Sequence, residues 1–155
     1  MITLTDLPFS PSDALASFQA RAEGAGAIVS FIGLVRDRAS DKTVSTLHLQ
    51  AYSPMTERGM QNALDAALTR WPLTAAQIIH RTGDMAPAEP IVFVATASAH
   101  RRAAFEAADF LMDYLKTEAV FWKKEVTSDG ERWIEPRTQD YRDNARWKND
   151  KTETA

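Results

Sequence analysis

The chain contains no cysteine. That excludes a disulfide framework, a cysteine nucleophile, a persulfide relay and cysteine-ligated zinc or iron–sulfur centres. Any sulfur chemistry would have to draw its sulfur from another molecule. Histidine is scarce as well: His48, His80 and His100 are widely spaced and show no metal-ligand pattern, so no metal site is expected. No apolar run approaches the ~20 residues of a membrane span. The longest lies around Ala27 to Val35, and the opening Met1 to Asp6 lacks the basic and apolar regions of a secretory signal. A cytoplasmic protein without membrane contact is the expectation. The chain has no GxGxxG, Walker P-loop, HExxH or GxSxG motif. Nor is there a surplus of positive charge: 18 Lys and Arg stand against 21 Asp and Glu, a net charge of −3. That argues against a general nucleic-acid binder, though it leaves room for a local cationic pocket.

What is present is an ordinary globular chain. Its 155 residues, 45% of them hydrophobic, suit one domain with its own core. Ser10-Pro11 followed by Asp13 reads as a capped helix start, with Leu15, Phe18 and Ala22 facing inward and Gly24 as a stop. Gly26 to Arg36 is β-branched and almost wholly apolar, which reads as a buried central strand. Val44 to Tyr52 alternates, predicting Val44, Thr46 and His48 on one face and Leu47, Leu49 and Ala51 on the other. Met60, Ala63, Leu64, Ala67, Leu68 and Trp71 form a helical stripe that Pro72 ends. Strands are predicted at 76–81 and 90–97. A long helix follows over 99–117, with Phe105, Ala108, Leu111, Met112 and Leu115 buried and Arg102, Glu106, Asp109, Asp113 and Lys116 on a polar stripe. Val120 to Val126 and Arg132 to Glu135 read as a hairpin turned at Asp129-Gly130. The pattern is α+β, with a mixed, largely antiparallel sheet and three main helices. Residues 1–137 form the expected domain, and the polar stretch 138–155 reads as a flexible tail or late-ordering lid.

The candidate chemistry is a set of basic residues at element ends. Arg36 closes a strand, His100 and Arg101 stand where a strand gives way to a helix, Lys116 ends that helix, Lys123 lies in the FWKKE strand, and Arg137 follows the last hairpin. Such ends are where folds gather binding groups, and a convergence of cations suits an anionic substrate. Each also has a bland explanation. A last-turn Lys answers the helix dipole, strand lysines guard an edge, and Arg36 or Arg137 can simply terminate an element or pair with a nearby acid.

Several segments, in this order and approximate spacing, carry a family resemblance: GAIVSFIGLVRD (26–37), YSPMTE (52–57), RWPL (70–73), IIHRTGDM (78–85), SAHRRAAFEAADFLMDYLKTEAVFWKKE (98–125) and RWIEPR (132–137). Together they resemble the large, catalytic subunit family of molybdopterin synthase. The resemblance implies an α/β-hammerhead-type fold and a homodimer within a heterotetramer. It implies a small, ubiquitin-like sulfur carrier whose C-terminal Gly-Gly ends in a thiocarboxylate. The substrate implied is cyclic pyranopterin monophosphate, to which two sulfurs are transferred to make a dithiolene. Lys116 and Lys123 match the family's catalytic lysines; Arg36, His100, Arg101 and Arg137 match its substrate-pocket residues. Lys116 is expected to move the proton, with its pKa lowered by neighbouring cations, and Lys123 to hold the thiocarboxylate or oxyanion. No cofactor is implied, because the carrier brings the sulfur. The competing expectations are a dimeric scaffold that binds a ubiquitin-like tail without chemistry, and a phosphate- or single-strand-binding domain using FWKK for stacking and charge.

Overall fold

A computed structural model describes residues 1–39 and 41–148. In chain order the elements are β1 (Ile2–Thr5), α1 (Pro11–Arg21), β2 (Ala27–Leu34), β3 (Arg38–Ala39), β4 (Lys42–Ala51), α2 (Met55–Arg70) and β5 (Leu73–Arg81). Then follow β6 (Gly83–Met85), β7 (Pro90–Ser98), α3 (Arg101–Thr117), β8 (Phe121–Thr127), β9 (Gly130–Ile134) and α4 (Thr138–Ala145). They build two sheets. The first has the order β1-β5-β7-β2, with β1 and β5 parallel and the other pairs antiparallel. The second runs β3-β4-β8-β9, with β6 also paired to β4, and is antiparallel throughout.

The central strands of the first sheet are β5 and β7, and both of their faces are covered. Along β7, Val92 and Val94 point into a core with Met60, Leu64, Ala67 and Leu111 from α2 and α3. Their neighbours Phe93, Ala95 and Ala97 point the other way, onto Phe18 and Ala22 at the end of α1. Burial on both faces is why this strand is apolar without alternation. A third, smaller core of Val35, Leu47, Leu49 and Met85 lies under the second sheet.

Four sequence expectations change here. The apolar run at 26–36 is an edge strand: β2 pairs with β7 alone among the described residues, and Phe31, Ile32 and Leu34 are 42%, 43% and 51% exposed. Apolar composition marks a strand to be covered, and periodicity does not say by what. Phe105 on α3 is 60% exposed and Leu68 on α2 is 45% exposed, so neither belongs to its core stripe. In β4 a register shift between Val44 and Thr46 turns Val44 to the buried side with Leu47 and Leu49. The chain beyond Arg137 is helical through α4 and docked. Asn144 donates to Glu118 (2.9 Å), and Arg146 bonds Asp109 (2.7 Å) and Asp113 (2.8 Å). Trp147 is buried edge-on against Trp71 and Phe110, and its indole N–H donates to Asp113 at 2.6 Å. The acids of the α3 polar stripe are thus the anchor of the terminal segment. Residues 149–155 of the expected tail lie outside the described residues.

Candidate active site

Lys116 and Lys123 stand on either side of one tight connection. Lys116 is exposed in the last turn of α3; Lys123 is half-buried as the third residue of β8. The turn between them is held from α2. Thr56, fully buried, donates through its hydroxyl to the carbonyl of Val120 and accepts from the backbone N–H of Tyr52 at 2.8 Å. Gly59 lets the helix come close: a Cβ there would sit 3.3 Å from the Cα of Ala119. The YSPMTE segment and the first turns of α2 therefore hold the connection between the two lysines.

On β8, Phe121, Lys123 and Glu125 alternate onto one face, opposite Ala51, Leu49 and Leu47 of β4. Burial pushes the Lys123 ammonium below the usual lysine range, and the charges of Lys116 and Arg36 push the same way. Glu125 and Asp140 oppose that shift. Glu125 is buried and bonded to Arg132 (3.3 Å). Asp140 is also buried. Burial alone would raise its pKa, but the backbone N–H of Arg137 (2.8 Å) and the Arg137 guanidinium (3.3 Å) hold it below the usual range, with help from Lys116. Arg36 lies two residues past the end of β2, and the intervening Val35 is pinned to the 88–89 turn by two backbone hydrogen bonds of 3.0 and 2.8 Å.

Lys116, Lys123, Arg36 and Arg137 are thus brought into one neighbourhood. His100 and Arg101 are not. They cap the opposite end of α3, and at about 1.5 Å per residue Arg101 stands about 22 Å along the axis from Lys116. Gly26 tucks against this end: its N–H donates to Ser98 (3.0 Å), and a Cβ on it would strike the carbonyl of Ala99. A cleft of about 450 Å³ between α2, α3 and α4, lined by Ala66, Phe110, Tyr114 and Trp147 among others, includes neither lysine.

Sequence reasoning missed Glu125, Asp140 and His80. Period-two alternation from Lys123 would have found Glu125, and the three-residue step from Arg137 would have found Asp140 as a helix-start acid. Nothing in the sequence pattern marks His80, which sits beneath the lysines only through the packing of the two sheets. Among the described residues no three His, Asp or Glu side chains gather to hold a metal, and no helix is long and apolar enough to cross a membrane.

The fold and this cluster define a mixed α+β protein in which cationic side chains surround an amine of lowered pKa. The chain matches the MoaE protein family over residues 4–118 and belongs to it. It is 49% identical to the molybdopterin synthase catalytic subunit of Caulobacter vibrioides over 95% of this chain and 97% of that one. It is 46% identical to the same subunit of Pseudomonas aeruginosa, over 94% and 97%. Among solved structures it is similar to a molybdopterin biosynthesis MoaE protein from Burkholderia ambifaria, with a TM-score of 0.81, 41% identity and coverage of 96% and 97%. The α/β-hammerhead-type fold expected from the resemblance is the fold observed.

Proposed function

We propose that this chain is the catalytic subunit of a molybdopterin synthase and acts as a sulfurtransferase. It takes two sulfurs in turn from the thiocarboxylated Gly-Gly terminus of a small ubiquitin-like carrier and places them on cyclic pyranopterin monophosphate, forming a dithiolene. The observation that carries this reading is the Lys116–Lys123 pair, flanked by Arg36 and Arg137, with the Lys123 pKa lowered. The names and high identity of the curated relatives support it.

Both reactants are anions, and the cluster offers charge in a partly dry setting where it acts more strongly than in water. Arg36 and Arg137 suit the phosphate, since a guanidinium fork makes paired bonds to it. The thiocarboxylate sulfur bonds to a side-chain carbon of the pterin as that carbon's bond to oxygen breaks. The oxygen leaves on the phosphate or, once protonated, as water, so that carrier and substrate are joined through a thioester. Water then adds to the acyl carbon, the carbon–sulfur bond to the carrier breaks, and the carrier leaves as a carboxylate with sulfur on the substrate. A neutral amine can take the proton from that water. The lowered pKa supports giving this step to Lys123, with the exposed Lys116 holding the developing negative charge; this exchanges the roles read from the sequence.

His100 and Arg101 join such a site only from a second copy. The α3 that separates them from their own lysines packs across β2, an edge strand on which Phe31, Ile32 and Leu34 are exposed, and Phe105 of α3 is exposed as well. An apolar edge of this kind is a surface for pairing. We therefore assign it to a homodimer in which each copy lends the start of α3 to the other's lysines.

The test is to mix the purified chain with thiocarboxylated small subunit and cyclic pyranopterin monophosphate and to assay dithiolene. Turnover by wild type that is lost in Lys116→Ala and Lys123→Ala is expected. A folded wild type that binds the carrier and makes no dithiolene, with a carrier shown competent in another synthase, would leave the scaffold reading in its place.

A further inference from the structure

His80 lies in the lysine neighbourhood but has no part in the reaction proposed above. It is the penultimate residue of β5, set between Leu4 of β1 and Val92 of β7, and is 8% exposed. Its Nδ1 lies 3.0 Å from the carbonyl oxygen of Arg81, so Nδ1 carries the hydrogen and donates it, and Nε2 keeps its lone pair. Its ring lies flat on Phe121, with centroids 4.0 Å apart and planes inclined by 22°. Phe121 opens β8, and Lys123 follows two residues later on the same face. The contact thus joins a central strand of the first sheet to the strand of the second sheet that carries the reacting amine.

We propose that His80 is a positioning residue for the lysine pair: its ring, fixed by the bond to Arg81 and stacked on Phe121, sets the start of β8 against β5 and so the depth at which Lys123 is held beside Lys116. β8 begins immediately after the 118–120 turn. Before Lys123 its pairing to β4 is limited to Ala51↔Phe121 and Gln50↔Trp122, and Trp122 is exposed. The flat aromatic contact at Phe121 adds to the Thr56 bond at Val120 and keeps this short lead-in from drifting outward. An imidazole adds to the stack what a phenyl lacks, a donor that satisfies the Arg81 carbonyl. The ring stays neutral there. Burial, with the charges of Lys116 and Lys123, lowers its pKa from 6.5 to about 4, although the Arg81 bond works against the shift. It therefore sets the cluster's geometry without adding to its positive charge.

The inference rests on Lys123 being a reacting amine, but its test need not. Trace acetylation of the full chain across alkaline pH, read by mass spectrometry of the Lys123 peptide, gives the protonation midpoint of that amine without any turnover. His80→Leu, which keeps the volume but not the flat ring, and His80→Ala are expected to raise the midpoint by about half a unit or more as Lys123 moves towards water. His80→Phe, which keeps the stack, is expected to stay nearer to wild type. All three should melt at lower temperature. Lower melting with the Lys123 midpoint unmoved in both His80→Leu and His80→Ala would make His80 an ordinary core residue and overturn the proposal. Dithiolene assays on the same samples separate the two ideas: an inactive wild type sinks the sulfur-transfer reading, while the midpoints still decide the role of His80.

Discussion

At the residue scale, the site depends on how a half-buried ammonium is treated by its neighbours. Lys123 loses solvation on burial and feels Lys116 and Arg36, so its neutral form is favoured at lower pH than for a lysine in water. If it takes a proton in the transition state, kcat rises with pH through that lowered pKa. Arg36→Gln removes one of the cations and should move this limb of the profile to higher pH at saturating substrate. An unmoved limb would detach Arg36 from the amine. Lys123→Arg should fail where a lysine succeeds, falling about 100-fold or more, because a guanidinium keeps its charge and cannot accept the proton. Near-wild-type turnover by Lys123→Arg would reduce Lys123 to a charge holder. His80 makes a separate prediction about stability. Unfolded, it binds a proton near pH 6.5; folded, only near about 4. Between these values the unfolded chain holds more protons, so stability is fully present above pH 6.5 and drains away as pH falls towards 4, by about 3 kcal/mol in all. Denaturant unfolding at pH 7 and pH 4.5 should show His80→Phe losing about 2 kcal/mol less than wild type across that interval. Equal losses would mean the imidazole does not resist protonation in the fold.

At the scale of elements, the lysines are held by residues outside the proposed cluster. Thr56 ties the start of α2 to the connection between the lysines by the bond it donates to the Val120 carbonyl, and it accepts one from the Tyr52 backbone N–H. Thr56→Val should cost about 1–3 kcal/mol by leaving buried partners unmet, and should lower kcat more than it raises KM because both lysines shift together. A variant destabilised to that extent with kcat intact would show that the 118–120 turn holds its shape unaided. Much at this scale was legible in the sequence. The Ser10 cap, the α2 stripe apart from Leu68, the β8–β9 hairpin at Asp129-Gly130 and the placement of Lys116 and Lys123 follow from local patterns. What was not legible depended on distant packing. The run at 26–36 says that a strand is to be covered, and only topology puts β2 at the edge. Phe105 fits the α3 core period yet faces outward. The polar segment after Arg137 has little apolar surface of its own, and it folds because Asp109, Asp113, Glu118 and Trp71 on other elements supply partners for Asn144, Arg146 and Trp147.

At the scale of the molecule, the proposed site is incomplete within one chain, because it calls on His100 and Arg101. The axis of α3 keeps His100 and Arg101 about 22 Å from Lys116, and no side chain spans that distance. In the two-fold dimer proposed above, the same patch is used on both copies and each α3 start is set beside the other copy's lysines. Two inactive variants then become informative together. Arg101→Ala spoils the group a chain lends, and Lys116→Ala spoils the group it keeps. In a mixed dimer of the two, one site lacks both groups and the other lacks neither. Half of the dimers in a fully exchanged equal mixture are mixed, so about a quarter of wild-type dithiolene formation should return, although each variant alone is inactive. Sites contained within one chain cannot complement in this way, and activity would stay at the level of the separate variants. Ile32→Asp, placed on the exposed edge, should shift the chain towards monomer in sedimentation and abolish complementation. A chain that stays dimeric with Ile32→Asp would move the interface to another surface.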